Sequence, residues 1–302
     1  MSHRRAVALM VLVTLLWSIA GVVTRHLDSA RSFEVTFWRS LFNALAMAVA
    51  LTWMQGLSLW RGLFAASWPL WASGVCWAVM FTAFMVALTL TTAANVLVTI
   101  AMGPLITAVC ARFFLRHALP LCTWVAIAFG GAGIAWMFGR EAGRGASFVG
   151  TLTASLVPLA AAINWTVLQH VSHGSGDPDE SAPQDMRAAA LIGALLSAAV
   201  TLPLAYPLRA SGHDLALLAL LGVVQLAVPC LIVVRLAREL PAPEIALLGL
   251  LEVLFGIVWT WLGAGETPAS STLAGGTLVL GALIANETLA LSSRRGEANI
   301  PS

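Results

Sequence analysis

Three charged residues stand inside long apolar stretches of the sequence: Arg39, Glu244 and Glu252. A charge in such surroundings is costly and is by default a candidate for function. The two glutamates are eight residues apart and would share one helix face, where a carboxylate can carry a proton or bind a solute. The structural alternatives are a hydrogen-bond acceptor at Glu252 and a first-turn acid, favoured by the helix dipole, at Glu244. Arg39 would bind a solute carboxylate or extend its guanidinium to a polar surface.

Uncharged polar residues occur in the same apolar stretches. Asn95, Thr99 and Met102 follow helical i, i+4, i+7 spacing and form one stripe, while Asn164 and Gln225 stand singly elsewhere. Such residues either hold helices together or line a wet cavity, and holding helices together is the commoner role.

Aromatic and methionine side chains favour the cavity. Six of them are candidates for its wall: Trp17, Trp77, Met80, Phe81, Phe84 and Trp165. Trp77, Phe81 and Phe84 share one face of a predicted helix, and an indole in the middle of an apolar stretch needs a partner for its N–H. A wall of this kind would suit a flat apolar solute with a polar end, and ordinary packing is the alternative.

The composition limits the class of protein. Of the 302 residues, 59% are hydrophobic and 10% charged, against about 25% charged in a soluble domain. The sequence therefore predicts an integral membrane protein. The absence of lysine excludes a standard P-loop and a Schiff-base lysine. The cysteines lack metal-ligand spacing, and we expect no metal, no cofactor and no nucleic-acid partner.

The expected fold is an all-α integral membrane protein with ten transmembrane helices. Spans of about 20 mostly apolar residues are predicted at 6–26, 33–54, 67–88, 92–114, 118–138, 148–169, 187–206, 214–237, 243–263 and 270–291. Residues 170–186 form a polar loop between the halves. The N-terminus resembles a signal peptide, but its apolar run is long for one, so we expect an uncleaved first helix. The arginine distribution places both termini in the cytoplasm.

Glycine and proline modify several spans. Pro104, Pro158 and Pro229 should bend their helices, which are candidates for the movable parts of a gate. Glycines in the fifth and tenth spans should permit close packing or dimerisation. They are Gly130, Gly131, Gly133, Gly275, Gly276 and Gly281.

The sequence carries an internal repeat with an offset of 148 residues. The matching pairs are Trp17 and Trp165, Arg39 and Arg187, Gly74 and Gly222, Leu88 and Leu236, Ala94 and Ala242, Pro120 and Pro268, and Gly133 and Gly281. This divides the chain into residues 1–147 and 148–302, each with five spans. An odd number of spans inverts the second repeat, a plan that recurs in secondary transporters. The equivalence with Arg187 favours a structural role for Arg39.

The sequence resembles the drug/metabolite transporter superfamily, in its ten-helix branch of two EamA-type repeats. The resemblance covers nearly the whole chain, through W-S-I-A-G-V-V-T-R (17–25), F-W-R (37–39), A-A-N (93–95), G-P-L (103–105), L-L-E-V-L-F-G (250–256), G-E-T-P (265–268) and G-G-T-L-V-L-G-A (275–282). Arg116 and His117 stand where the family often has an acidic residue, and Val253 where proline is common, while Glu266 retains the family's acid. The resemblance implies a bacterial inner-membrane protein, monomeric or homodimeric, most similar to the YddG-like aromatic amino acid exporters.

The predicted function is export of small metabolites by alternating access, with aromatic and other amino acids as substrates. Multidrug transport and transport of nucleotide-sugar or phosphate compounds are the alternatives. A membrane-embedded enzyme is the rival from another class. The sequence has no H-E-x-x-H motif, and its predicted spans hold no aspartate beyond Asp214, the first residue of the eighth, so we expect no catalytic residues and no enzymatic activity.

Overall fold

The structure, a computed structural model, is built from helices. Every regular element in the part of the chain that it describes is helical, which confirms the predicted class. The described residues are 3–56, 59–60, 63, 68–114, 121–141, 146–174, 187–236, 248–249 and 251–298.

The helices follow one another with short connections. They are α1 (His3–Ser18), α2 (Ala20–Thr24), α3 (Ser32–Gln55), α4 (Trp68–Leu90), α5 (Ala93–Ile100), α6 (Gly103–Phe114), α7 (Leu121–Glu141), α8 (Ala146–Ala154), α9 (Leu156–Gly174), α10 (Arg187–Ala205), α11 (Gly212–Leu220), α12 (Val228–Leu236), α13 (Leu251–Ala264) and α14 (Ser270–Ala298). Between α11 and α12 the chain continues as a π-helical segment, Leu221–Ala227.

Each predicted span overlaps at least one of these helices. Within the described part of the chain, six stretches are long and apolar enough to cross a membrane: His3–Thr24, Phe33–Gln55, Trp68–Leu90, Ser147–Asn164, Arg187–Ala205 and Gly212–Val233. Shorter apolar stretches at Ala93–Ile106, Trp124–Gly133 and Leu251–Ala264 overlap the fourth, fifth and ninth predicted spans. The chain is therefore a multi-pass membrane protein, whereas the count of ten spans and their inverted arrangement remain predictions.

Prolines set the interruptions inside three predicted spans. α5 ends at Ile100 and α8 ends at Ala154, each four residues before a proline, Pro104 and Pro158. Proline has no N–H to donate to the carbonyl four residues back, and its ring clashes with that carbonyl. Each helix thus ends at the residue whose carbonyl loses its donor. The π-helical segment ends at Ala227, two residues before Pro229. The chain thus departs from regular α-helix near all three prolines, and the predicted bending and gating stay predictions.

One predicted boundary is wrong. α9 continues to Gly174, so the loop predicted at 170–186 begins too early, and residues 175–186 lie outside the described part. α14 continues to Ala298, so the helix extends through the polar sequence past 291, where the tenth apolar span is predicted to end.

Small residues determine how closely the central helices approach. A Cβ on Gly74 of α4 would lie 2.5 Å from Cγ2 of Ile192 on α10. The Ser197 hydroxyl of α10 lies 2.8 Å from the hydroxyls of Ser40 on α3 and Thr82 on α4. The core between α3, α4 and α10 is therefore held both by close packing and by buried hydrogen bonds.

The glycine-mediated packing of the fifth and tenth spans is confirmed in part. A Cβ on Gly133 of α7 would lie 2.7 Å from the carbonyl oxygen of Gly275 on α14, and Gly276 faces α5 at 3.0 Å. Gly131 and Gly281 differ, because a Cβ on either would meet no described atom within 4 Å. Only some of these glycines are needed for close contact in the bundle.

Candidate functional site

Arg39 on α3 is the first residue of the candidate site. It is the largest fully buried side chain among the described residues, with 1% of its surface exposed. Its Nε and Nη2 donate to Oε1 of Gln225 at 3.2 and 2.9 Å, and the guanidinium lies 5.6 Å from the centre of the Phe84 ring. Its Nη1 is buried without a hydrogen-bond partner in the described part. The alternative in which Arg39 extends to a polar surface is therefore wrong, and the unpaired nitrogen marks a place where another polar group can bind.

The π-helical segment holds Gln225 against Arg39. α3 lies close to the segment, because a Cβ on Gly222 would be 2.7 Å from the Arg39 carbonyl oxygen and 2.9 Å from the Asn43 nitrogen. Gln225 Nε2 donates to the Trp17 carbonyl at 3.1 Å, where α1 gives way to α2. The amide oxygen is thereby directed at the guanidinium. Single π-helical turns frequently occur at functional sites.

Asn43 extends the unpaired polar surface by one helical turn. It is 1% exposed, and neither its Nδ2 nor its Oδ1 has a hydrogen-bond partner among the described residues. Its i+4 spacing places it beside Arg39 on α3. The sequence analysis missed Asn43, although that spacing was a usable signal. One face of α3 thus presents a guanidinium nitrogen and an amide, both buried and without partners.

Glu252 supplies a carboxyl group near Arg39. It is the second residue of α13 and is half-buried. Its carboxyl group lies within electrostatic range of the Arg39 guanidinium, yet no hydrogen bond or ion pair joins these two described side chains. The structural alternative, in which Glu252 accepts a hydrogen bond from a neighbouring helix, finds no such bond within the described residues. A guanidinium and a carboxyl group therefore lie near each other in an apolar bundle without direct contact.

The aromatic face of α4 divides between packing and the site. The rings of Trp77 and Phe81 are 5.3 Å apart and tilted by 36°, and both pack in the cluster that joins α4 to α10. Phe84, one turn further on, is the ring that faces the Arg39 guanidinium. Of Trp77, Phe81 and Phe84, it is therefore Phe84 that lies beside Arg39.

The predicted polar stripe of α5 is joined to α14 through Asn95, whose Oδ1 accepts a short hydrogen bond from Thr272. Two further hydrogen bonds are local to the segment. Asn95 Nδ2 donates to the Thr91 hydroxyl at 3.1 Å, and Thr99 donates to the Asn95 carbonyl at 2.7 Å. Met102 packs in the neighbouring hydrophobic cluster. A role of the stripe in substrate binding stays a prediction.

The remaining candidates lie apart from this cluster or outside the described side chains. Asn164 is fully buried, accepts a hydrogen bond from Ser73 at 2.6 Å, and leaves its Nδ2 without a described partner. Met80 is half-buried on α4. The Trp165 side chain and Glu244 fall outside what the structure describes.

Sequence reasoning also missed an ion pair that fastens one end of the bundle. Arg25 Nε donates to Glu266 Oε2 at 2.8 Å, and its other nitrogens donate to the carbonyls of Leu88 and Thr91 at 2.7 Å. Glu266 Oε1 accepts from the Ala93 N–H at the start of α5 at 2.8 Å. The contact ties the end of α2 to the α4–α5 turn and to the α13–α14 loop. Its signal was the lone charge in each of the segments 17–25 and 265–268.

Two further carboxylates, in the first turns of α3 and α11, accept hydrogen bonds from the backbone of neighbouring loops. Glu34 Oε1 accepts the N–H groups of Arg209 and Ala210, each at 2.7 Å. The Asp214 oxygens accept from the backbone of residues 28–30 and 211 at 2.7–3.2 Å. Asp28, His213 and Asp214 bring possible metal ligands within 4.8 Å. Because backbone N–H groups already occupy Asp214, we assign this group to loop closure.

Comparison with known proteins points to one family. Residues 4–139 match the EamA-like transporter family, and no curated protein matches the chain. A solved chain described only as "Crystal structure of protein" has a similar fold, with a TM-score of 0.63 and 17% identity over 96% of this chain and 99% of that one. At this identity the likeness concerns the fold alone. Membrane transport of small molecules is the function that the family match indicates.

Proposed function

We propose that the whole chain is an EamA-like secondary transporter of the bacterial inner membrane, with both termini in the cytoplasm, and that it exports amino acids by alternating access. Aromatic amino acids are its preferred substrates. The match over residues 4–139 and the multiple apolar helices support transport. The buried polar site supports the choice of solute.

The helix packing supports a duplicated bundle of residues 1–147 and 148–302. α4 packs on α10, while its counterpart, the segment α11–π, packs on α3. α9 packs on α4 and α6, while its counterpart α1 packs on α12 and α13. Exchanging the two halves converts each of these contacts into another that is present. Gly74 and Gly222, 148 residues apart, provide equivalent close approaches. Such an arrangement favours rocking of one half against the other.

The buried guanidinium of Arg39 is the observation that carries the proposed substrate class. A charge inside a membrane bundle is retained where it is paired or used. Arg39 is paired along one edge by Gln225 and leaves Nη1 unpaired beside the Phe84 ring. A solute with a carboxylate and a flat apolar part satisfies both the nitrogen and the ring. Aromatic amino acids have this chemistry.

Proteoliposomes test the proposal directly. Vesicles loaded with labelled tryptophan, phenylalanine or threonine should release tryptophan and phenylalanine faster than threonine. Arg39→Gln and Phe84→Ala should abolish or strongly slow the release of the two aromatic solutes. Trp53→Ala is the matched control, because Trp53 lies on the same helix as Arg39 but is 90% exposed. Repeating the assay with a pH gradient separates uniport from proton coupling. No release of any of the three solutes would refute the amino acid assignment.

A further inference from the structure

The geometry points to recognition of a zwitterion at two points: Arg39 and Asn43 bind the carboxylate of the solute, and Glu252 binds its ammonium group. This inference rests on the proposed function and deepens it. It assigns specificity to a pair of opposite charges and to an amide that no sequence motif singled out.

The carboxylate end follows from the unpaired donors on α3. Gln225 occupies Nε and one hydrogen of Nη2, so both hydrogens of Nη1 and the second hydrogen of Nη2 remain. These hydrogens form the edge of a guanidinium that binds a carboxylate through two parallel hydrogen bonds. Asn43 adds an unpaired amide donor one turn away. Gln225 fixes the guanidinium, so little ordering is needed when the solute binds.

The ammonium end follows from the charge balance. Glu252 lies one helical turn before Gly256, where a Cβ would be 3.5 Å from the Ser18 carbonyl oxygen, next to the Trp17 carbonyl that accepts from Gln225. Its carboxyl group is therefore near the Arg39 guanidinium without touching it, and as a carboxylate it would bind an ammonium group. A zwitterion compensates both charges at once. An anion of the same shape would leave Glu252 without a counter-charge, and a cation would leave Arg39 without one. In an apolar bundle an uncompensated charge is strongly unfavourable, so the site discriminates by charge as well as by shape.

Three indole compounds test this inference in proteoliposomes: L-tryptophan as zwitterion, indole-3-propionate as anion and tryptamine as cation. The protein should release tryptophan at least about tenfold faster than either analogue. Glu252→Gln should shift the preference towards indole-3-propionate, and Arg39→Gln towards tryptamine. Asn43→Leu should slow the release of tryptophan and of indole-3-propionate but not the release of tryptamine. Trp38→Phe is the control, because it removes an unpaired buried donor next to Arg39 on a different face of α3.

The outcomes separate the two claims. If all variants still release tryptophan and rank the release rates of the three compounds as the unmodified protein does, two-point recognition is wrong and the transporter assignment stands. If none of the compounds is released by the unmodified protein, the proposed function itself fails. Should Arg39→Gln not fold, Glu252→Gln decides alone, because Glu252 makes no described hydrogen bond whose loss would disturb packing.

Discussion

Replacing Gly222 by alanine tests the contact that positions the candidate site. The new methyl group would lie 2.6 Å from Phe42 Cβ, 2.7 Å from the Arg39 carbonyl oxygen and 2.9 Å from the Asn43 nitrogen. Two of these atoms belong to the α3 backbone, so no side-chain rotation relieves the contact and the helix must move away. Overpacking of this kind destabilises a protein by about 1–3 kcal/mol.

Gly131→Ala is the matched control, because a Cβ at Gly131 meets no described atom within 4 Å. Both changes gain about 1 kcal/mol of helix propensity, so this gain largely cancels between them. The free energy of unfolding of Gly222→Ala should therefore be about 1–3 kcal/mol below that of Gly131→Ala. Apparent melting temperatures of the two purified variants in one detergent provide the comparison. A Gly222→Ala protein that melts at or above Gly131→Ala would refute the argued proximity of α3 and the π-helical segment.

Three further changes should lower the apparent melting temperature in detergent. Ser211→Ala removes the capping box in which the side chains of Ser211 and Asp214 accept each other's backbone N–H groups. This should lower the free energy of unfolding by about 1 kcal/mol, whereas Ser211→Thr retains the cap. Thr272→Val removes the hydroxyl that donates to the buried Asn95 oxygen, which should lower the free energy of unfolding by about 1–3 kcal/mol. Thr272→Ser keeps the hydroxyl and should change stability little. Glu34→Ala removes the acceptor of two backbone N–H groups, which should lower the free energy of unfolding by about 2 kcal/mol or more. The amides of residues 209 and 210 should then exchange hydrogen faster. An unchanged exchange rate would contradict these two hydrogen bonds.

Features with a local cause were predictable from the sequence. Pro104 and Pro158 act on a carbonyl four residues back, so the interruptions of α5 and α8 follow from the chain itself. The apolar spans were likewise visible, because hydropathy is a property of each segment. Even so, the start of the loop predicted at 170–186 was misjudged, since its first polar residues continue α9 as far as Gly174.

The contacts of the candidate site were not predictable in this way. Arg39 meets Gln225 across 186 residues of sequence, and Arg25 meets Glu266 across 241. Local patterns do not report such pairs, and an offset between repeats only relates equivalent positions. The equivalence of Arg39 with Arg187 favoured a structural role for Arg39 and said nothing about its unpaired Nη1.

In the proposed duplicated bundle, the π-helical segment makes the two halves chemically unequal. Position 77 on α4 corresponds to position 225 in the segment, and the offset is the same at Leu88 and Leu236, so the sequence match needs no inserted residue between them. A π-helix turns less per residue than an α-helix because it bonds i to i+5, and Gln225 therefore leaves the register that Trp77 keeps. In the proposed transporter, a solute between the halves would meet aromatic rings on one side and an amide on the other. The repeat would then offer it one orientation and not two equivalent ones.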